Sequence, residues 1–225
     1  MSDWLFDEIP YKQSPEEIET ARNLFLTCFM DNFLHNYIEF CGVRMVKNPF
    51  DLIIIQEIIQ KLRPDNIIET GGGFGGSAAF YATIMKSLGL PGHVLTTELA
   101  RYDLAPLTNV KSEERNLMYI SGGMSVSYGI LGTIRETCAG KNNLVLLDSY
   151  HERPYLLLEM ELYSEFVPVG GYMIVEDTCL SGHPAYGKYE KDWEGPHEAV
   201  EEFLAKNKNF VADRSCERLI FTCNR

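Results

Sequence analysis

The stretch ETGGGFGGS, Glu69 to Ser77, constrains this chain more than any other. It follows the apolar pair Ile67 and Ile68 and precedes AAFYATIMK, so a short buried strand runs into a glycine turn that opens a helix. Glycine permits positive φ and lets a ligand approach the backbone. The free N–H groups at a helix start favour anionic or polar groups. Gly71, Gly73 and Gly76 satisfy G-x-G-x-x-G, and Glu98 closes HVLTTE about 20 residues further on, where an acid would meet ribose hydroxyls. The turn therefore predicts a nucleotide-type cofactor, and alone it would suggest a dinucleotide.

The rest of the chain alternates. NIIET, HVLTTE, NLMYIS, NLVLLD and GYMIVED read as strands, separated by helices over Gly76 to Leu88, near Val126 to Cys138 and near Pro154 to Phe166. Alternation of this kind implies parallel strands with crossover helices, and runs such as LVLL and YMIV suit a sheet covered on both faces. Before it, apolar residues at helical spacing predict a helix from Ser14 to Phe40, started by Ser14, Pro15 and Glu17, and a second from Asp51 to Leu62. After it, GPHEAVEEFLAKN is helical, and NFVAD with RLIFTCN is expected to form a terminal hairpin on the sheet. The expected architecture is α/β and Rossmann-like, a mostly parallel seven-stranded sheet. Residues 1–45 form a helical extension and 46–225 the core of one domain.

Ligands of an open parallel sheet gather beyond the carboxyl ends of its strands. Each candidate acid sits at such an end: Glu69, Glu98, Asp148, and the pair Glu176 and Asp177. Neighbouring strand residues point to opposite faces, so Glu176 and Asp177 converge only if the chain turns there, as Thr178, Ser181, Gly182 and Pro184 allow. Asp148, Glu176 and Asp177 would repel one another unless a cation joined them, and an all-oxygen set suits magnesium, manganese or calcium better than zinc. His151 and His183, near these acids in the sequence, are the candidates for base chemistry.

Several classes are excluded. The net charge of -12 argues against a nucleic-acid partner. No G-x-S-x-G elbow, G-K-[ST] phosphate loop or H-x-D/E pair occurs, which removes serine hydrolases, P-loop NTPases and the usual two-histidine iron oxygenases. Six cysteines lack C-x-x-C spacing and read as packed thiols. The first residues lack a basic region before an apolar run, and no long apolar stretch occurs, so a cytoplasmic protein without a membrane partner is expected.

The run KNPFDLIIIQEIIQKLRPDNIIETGGGFGGSAAFYA, Lys47 to Ala82, resembles the cephalosporin hydroxylase and rhamnosyl O-methyltransferase family. LLDSYH, IVEDT, SGHP and EGPHEAVEEFLAKNKNFVAD match further family segments in the same order. The resemblance implies a class I methyltransferase fold using S-adenosylmethionine and a divalent metal, Mg2+ or Mn2+, on a hydroxyl of a sugar or other small metabolite. It implies metal ligands at Asp148, Glu176 and Asp177, and cofactor contacts at Glu69, Gly71, Gly73, Gly76 and Ser77. Glu98 would sit on the adenosine ribose, with Asp148 at the border of the two sites. Tyr150 stands where the family carries an acid, and GGGFGGS replaces G-T-x-x-G-G-S. A homo-oligomer is expected by habit of the class. A nicotinamide oxidoreductase and a non-catalytic cofactor-binding partner stay open as alternatives. The first explains the glycines but leaves the acid trio without a purpose.

Overall fold

The computed structural model describes residues 11–100, 117–180 and 193–224. Helix α1, Pro15–Asp31, begins at a capping box: the Glu17 N–H donates to Ser14 Oγ at 3.2 Å and the Ser14 N–H to Glu17 Oε2 at 2.7 Å. It stops short of the expected Phe40. Asn32 Nδ2 donates to the Cys28 carbonyl at 2.8 Å, Phe33 turns left-handed at φ 52°, and a single 3-10 turn, Leu34–Tyr37, follows. The apolar stripe continues through the break, which is why periodicity alone does not mark it. A small antiparallel ribbon, β1 (Glu39–Phe40) and β2 (Val43–Arg44), completes the extension.

Helix α2, Pro49–Leu62, is capped by Asn48, whose side chain accepts from the Phe50 N–H at 3.0 Å, and ends where Arg63 turns left-handed before Pro64. The alternating core follows as β3 (Asn66–Thr70), α3 (Gly76–Ser87), β4 (His93–Glu98), β5 (Leu117–Ser121), α4 (Tyr128–Cys138), β6 (Asn143–Leu147), α5 (Arg153–Tyr163), β7 (Met173–Val175) and α6 (Pro196–Lys206). The strands lie in the order β5-β4-β3-β6-β7, every pair parallel. The order reverses beside β3, so the switch point, where this architecture binds ligands, lies between the carboxyl ends of β3 and β6.

Strand alternation explains the unbroken apolar runs. Ile67, Val94, Leu144 and Leu146 face α2 and α3, packing with Ile55, Ile59, Tyr81 and Met85. Ile68, Leu95, Val145 and Leu147 face the other side and pack with Ile134, Leu156, Met160, Tyr163 and Phe203. Both faces are covered, as the parallel pattern requires.

The described residues form five strands in this sheet, and the expected terminal hairpin is not among them. Asp213 caps a 3-10 turn at Arg214–Arg218, accepting from the Ser215 N–H at 3.1 Å, and the Thr222 N–H donates to the Leu219 carbonyl at 3.0 Å. These local turns consume donors that a ladder would need, although the apolar alternation of RLIFTCN reads as a strand. The tail instead folds back against the sheet's carboxyl edge, where the Cys223 N–H donates to both Asp51 oxygens at 3.0 and 3.1 Å. Helix α1 lies against this tail through Arg22 Nε on the Ile220 carbonyl, 2.8 Å, and Phe25 on Phe50 and Phe221. Among the described residues no helix is long and apolar enough to cross a membrane.

Candidate active site

The glycine turn is held on both sides. The N–H groups of Gly71 and Gly72 donate to the Thr97 carbonyl at 2.8 and 3.0 Å, and the Gly73 N–H donates to Glu98 Oε2 at 2.9 Å. Gly71 has φ +76°, and a Cβ there would lie 1.9 Å from the Asp148 carbonyl oxygen, so the exits of β3 and β6 touch backbone to backbone. Gly76 is required for a different reason. A Cβ on it would meet the Arg44 carbonyl at 2.3 Å, so this glycine seats the β1–β2 ribbon on the start of α3.

Glu69 is fully buried beneath the turn. Thr96 Oγ1 donates to its Oε2 at 2.7 Å, while Oε1 has no hydrogen-bond partner among the described residues. Burial raises its pKa, partly offset by Lys47 and by the hydroxyls of Ser77 and Thr96. Ser77 is thus buried against the Glu69 side of the turn. Glu98 holds the Gly73 and Ala100 N–H groups, the latter at 3.0 Å, and so braces the turn.

Across the switch point the acids assemble around an unforeseen residue. Asp148 leaves β6 with its N–H on the Thr70 carbonyl at 3.1 Å. Lys47 Nζ, on a side chain only 4% exposed, lies 2.6 Å from Asp148 Oδ2 and 3.1 Å from Glu176 Oε1. The other Glu176 oxygen accepts from Asn224 Nδ2 at 2.8 Å. Asp177 takes the turn that convergence demanded, with φ 60°, and its N–H donates to Asn224 Oδ1 at 2.9 Å. His151 Nε2 lies 3.1 Å from Asp177 Oδ2 and 3.6 Å from Asp148 Oδ1.

Asp148, His151 and Asp177 therefore each offer a donor atom within 4.8 Å of the others. Glu176 belongs to the same cluster through Lys47, but its carboxylate turns toward Lys47 and Asn224. His183 lies outside the described residues; Trp193, beyond it, donates from Nε1 to Glu152 Oε1 at 3.2 Å.

The electrostatics follow from crowding five charged side chains in a poorly solvated place. Burial, with Glu176 and Asp177 nearby, pushes Asp148 up to about 7 against the pull of Lys47. Burial by itself would lower His151, yet the hydrogen bond and charge of Asp177, with Asp148 behind it, carry the imidazole up to about 9. Burial opposes ionisation of Asp177, but His151 and Lys47 win and hold it below the usual carboxylate range. Lys47 resists its own burial because Asp148 and Glu176 hold its proton.

The donors fit a hard divalent cation. Magnesium commonly uses one or two protein carboxylates and keeps several waters, and Asp148 and Asp177 supply two. The cradle also fits a polar cofactor, because the buried Glu69 Oε1 beneath the turn has no hydrogen-bond partner among the described residues. Lys47 and Asn224 were not foreseeable as parts of this site. The trace in the sequence is that Lys47 opens the family-like run beginning KNPF, directly before a helix cap.

The chain is 32% identical over 180 residues to the rhamnosyl O-methyltransferase of Mycobacterium leprae, covering 78% of this chain and 74% of that protein. It is 29% identical over 178 residues to the enzyme of that name from Mycobacterium tuberculosis H37Rv, covering 78% and 69%. Among solved structures it resembles a CmcI structure described as a Mg and SAM complex, with TM-score 0.60 and 18% identity over 84% of this chain and 74% of that one. It also resembles the O-methyltransferase TomG of Streptomyces achromogenes in complex with SAM, with TM-score 0.53 and 15% identity over 88% and 80%. Because the family model for rhamnosyl O-methyltransferase/CmcI matches residues 32–225, the chain belongs to that family of S-adenosylmethionine-dependent O-methyltransferases.

Proposed function

We propose that this protein methylates a hydroxyl of a sugar or a similar small polyhydroxylated metabolite, with a divalent ion held by the acids at the end of β6 and β7. The observation that carries this reading is the contact of Gly71 with the Asp148 backbone. It supports reading the glycine turn as the seat of the cofactor, because Asp148 belongs to the cluster with His151 and Asp177. Membership of the family decides against the nicotinamide alternative, and two of its supports have other uses: Gly76 packs on Arg44 and Glu98 braces the turn.

When bound, S-adenosylmethionine supplies an activated methyl group and the ion acidifies the hydroxyl it holds. The residues of the chain then have separate tasks. The turn from Gly71 to Ser77, over Glu69, holds the cofactor, and Glu98 fixes the turn and lies where a ribose would be met. Asp148 and Asp177 would hold the ion, and Glu176 stays beside Lys47. His151 Nε2 accepts the hydroxyl proton. In the bare cluster Asp177 and Asp148 hold this imidazole protonated, so it becomes a base only when another cation offsets those carboxylates. His183 is the other base candidate from the sequence.

The test uses radiolabelled S-adenosylmethionine and a panel of rhamnosides and related glycosides, with magnesium and with chelator. Asp148→Ala should lose metal-stimulated methylation while keeping its circular dichroism spectrum. Full turnover by the unaltered protein in chelator would remove the ion from the reading.

A further inference from the structure

Lys47 sits where a second cation would sit. Its ammonium bridges Asp148 Oδ2 and Glu176 Oε1, on the side of the acid cluster away from His151, whereas Asp148 Oδ1 faces His151. The residue is fixed from behind. It directly precedes Asn48, which caps α2 and whose Nδ2 donates to the Phe221 carbonyl at 2.6 Å and to Cys223 Sγ at 3.3 Å. With its side chain 4% exposed and Asn48 packed behind it, the ammonium has no solvent to retreat into when an ion arrives.

Three carboxylates at adjoining strand ends are unstable as neighbours unless positive charge lies among them. We propose that Lys47 is a positioning residue that supplies this charge permanently. It keeps Asp148 and Glu176 gathered when no divalent ion is bound and, because it remains in place, weakens the hold of the site on the ion. Resting on the metal reading above, this assigns two cations to one set of acids, the second of them covalently part of the chain. The site is thereby built before the ion enters, and the ion stays exchangeable.

The experiment is a manganese titration followed by the paramagnetic resonance of free Mn2+, on the unaltered protein, Lys47→Met and Lys47→Arg. Removing a unit charge at this range from buried donors should tighten Mn2+ binding about tenfold or more in Lys47→Met. Lys47→Arg, which keeps the charge, should stay within about threefold of the unaltered protein. Mn2+ should also raise the melting temperature of Lys47→Met more than that of the parent. If Lys47→Met folds only when Mn2+ is present, seen by circular dichroism with and without chelator, the ion is replacing the ammonium as expected. Failure to fold in both conditions would overturn the proposal. So would Mn2+ binding by Lys47→Met no tighter than by the parent, which leaves the metal reading standing. Binding by neither protein would remove both, and binding by Lys47→Met alone would support the proposal in its strongest form.

Discussion

Gly71 and Gly73 stand two residues apart in one turn, both at positive φ, and the structure predicts different consequences for the same substitution. Alanine at either position carries a left-handed penalty of about 1 kcal/mol. At Gly73 that is the whole cost, since nothing lies within 4 Å of the added carbon. At Gly71 the new Cβ would lie 1.9 Å from the Asp148 carbonyl oxygen, 2.5 Å from its carbon and 2.7 Å from Ser149 Cα, all backbone atoms without rotamers to yield. The exits of β3 and β6 must part by about 1.5 Å, which forces packing strain of about 2 kcal/mol. The bond from the Asp148 N–H to the Thr70 carbonyl, worth about 1 kcal/mol, would break as well. Gly71→Ala should therefore cost about 4 kcal/mol and Gly73→Ala about 1 kcal/mol, a difference read directly from urea melts. Because the moved strand end carries Asp148, Gly71→Ala should also lose about 100-fold in kcat among the molecules still folded. Melts in which the two variants agree within about 1 kcal/mol would refute the claim that strand exit and acid site share one backbone contact.

Two further outcomes follow from the cluster. His151→Gln should lower kcat by about 100-fold or more while leaving S-adenosylmethionine binding by calorimetry unchanged; retention of wild-type kcat would assign the base elsewhere. In chelator, the protein should become less stable as pH rises. His151 is raised from its ordinary 6.5 to about 9, so its ion pair contributes fully below 6.5 and is lost through 9. Asp148, raised from 3.8 to about 7, adds a loss in the same direction as it ionises. Asp177, held low, works in the opposite sense only on the acid side and is fully charged across this window. Melting temperatures measured between pH 6.5 and 9 should fall in chelator and flatten with magnesium. A rise in chelator would show that these groups are not coupled as described.

The parts of this protein legible in the sequence are those whose determinants lie close together along the chain. The capping box at Ser14, the strand-turn-helix from Ile67 to Ser77 and the acids at strand ends each need only a few neighbouring residues to declare themselves. A turn at the acid pair is also readable, because two adjacent strand acids cannot otherwise serve one point, and the structure makes it at Asp177 with φ 60°. What stayed hidden depends on distant backbone. Lys47 meets Asp148 and Glu176 from 101 and 129 residues away, and in the sequence it is one lysine between Val46 and Asn48. Asn224, near the end of the chain, orients the acid pair by using its amide in both directions, with Nδ2 on Glu176 and Oδ1 on the Asp177 N–H. The same limit explains the misread segments. Periodicity reports which side chains are apolar and is silent on where N–H groups go, so RLIFTCN passes for a strand while its donors close turns. Gly76 reads in the sequence only as a cofactor glycine, and the room it leaves for the Arg44 carbonyl is a second constraint that no pattern announces. In this fold the chemistry of the site is carried by residues that a pattern can find, and its geometry is set by residues that only the assembled backbone brings to them.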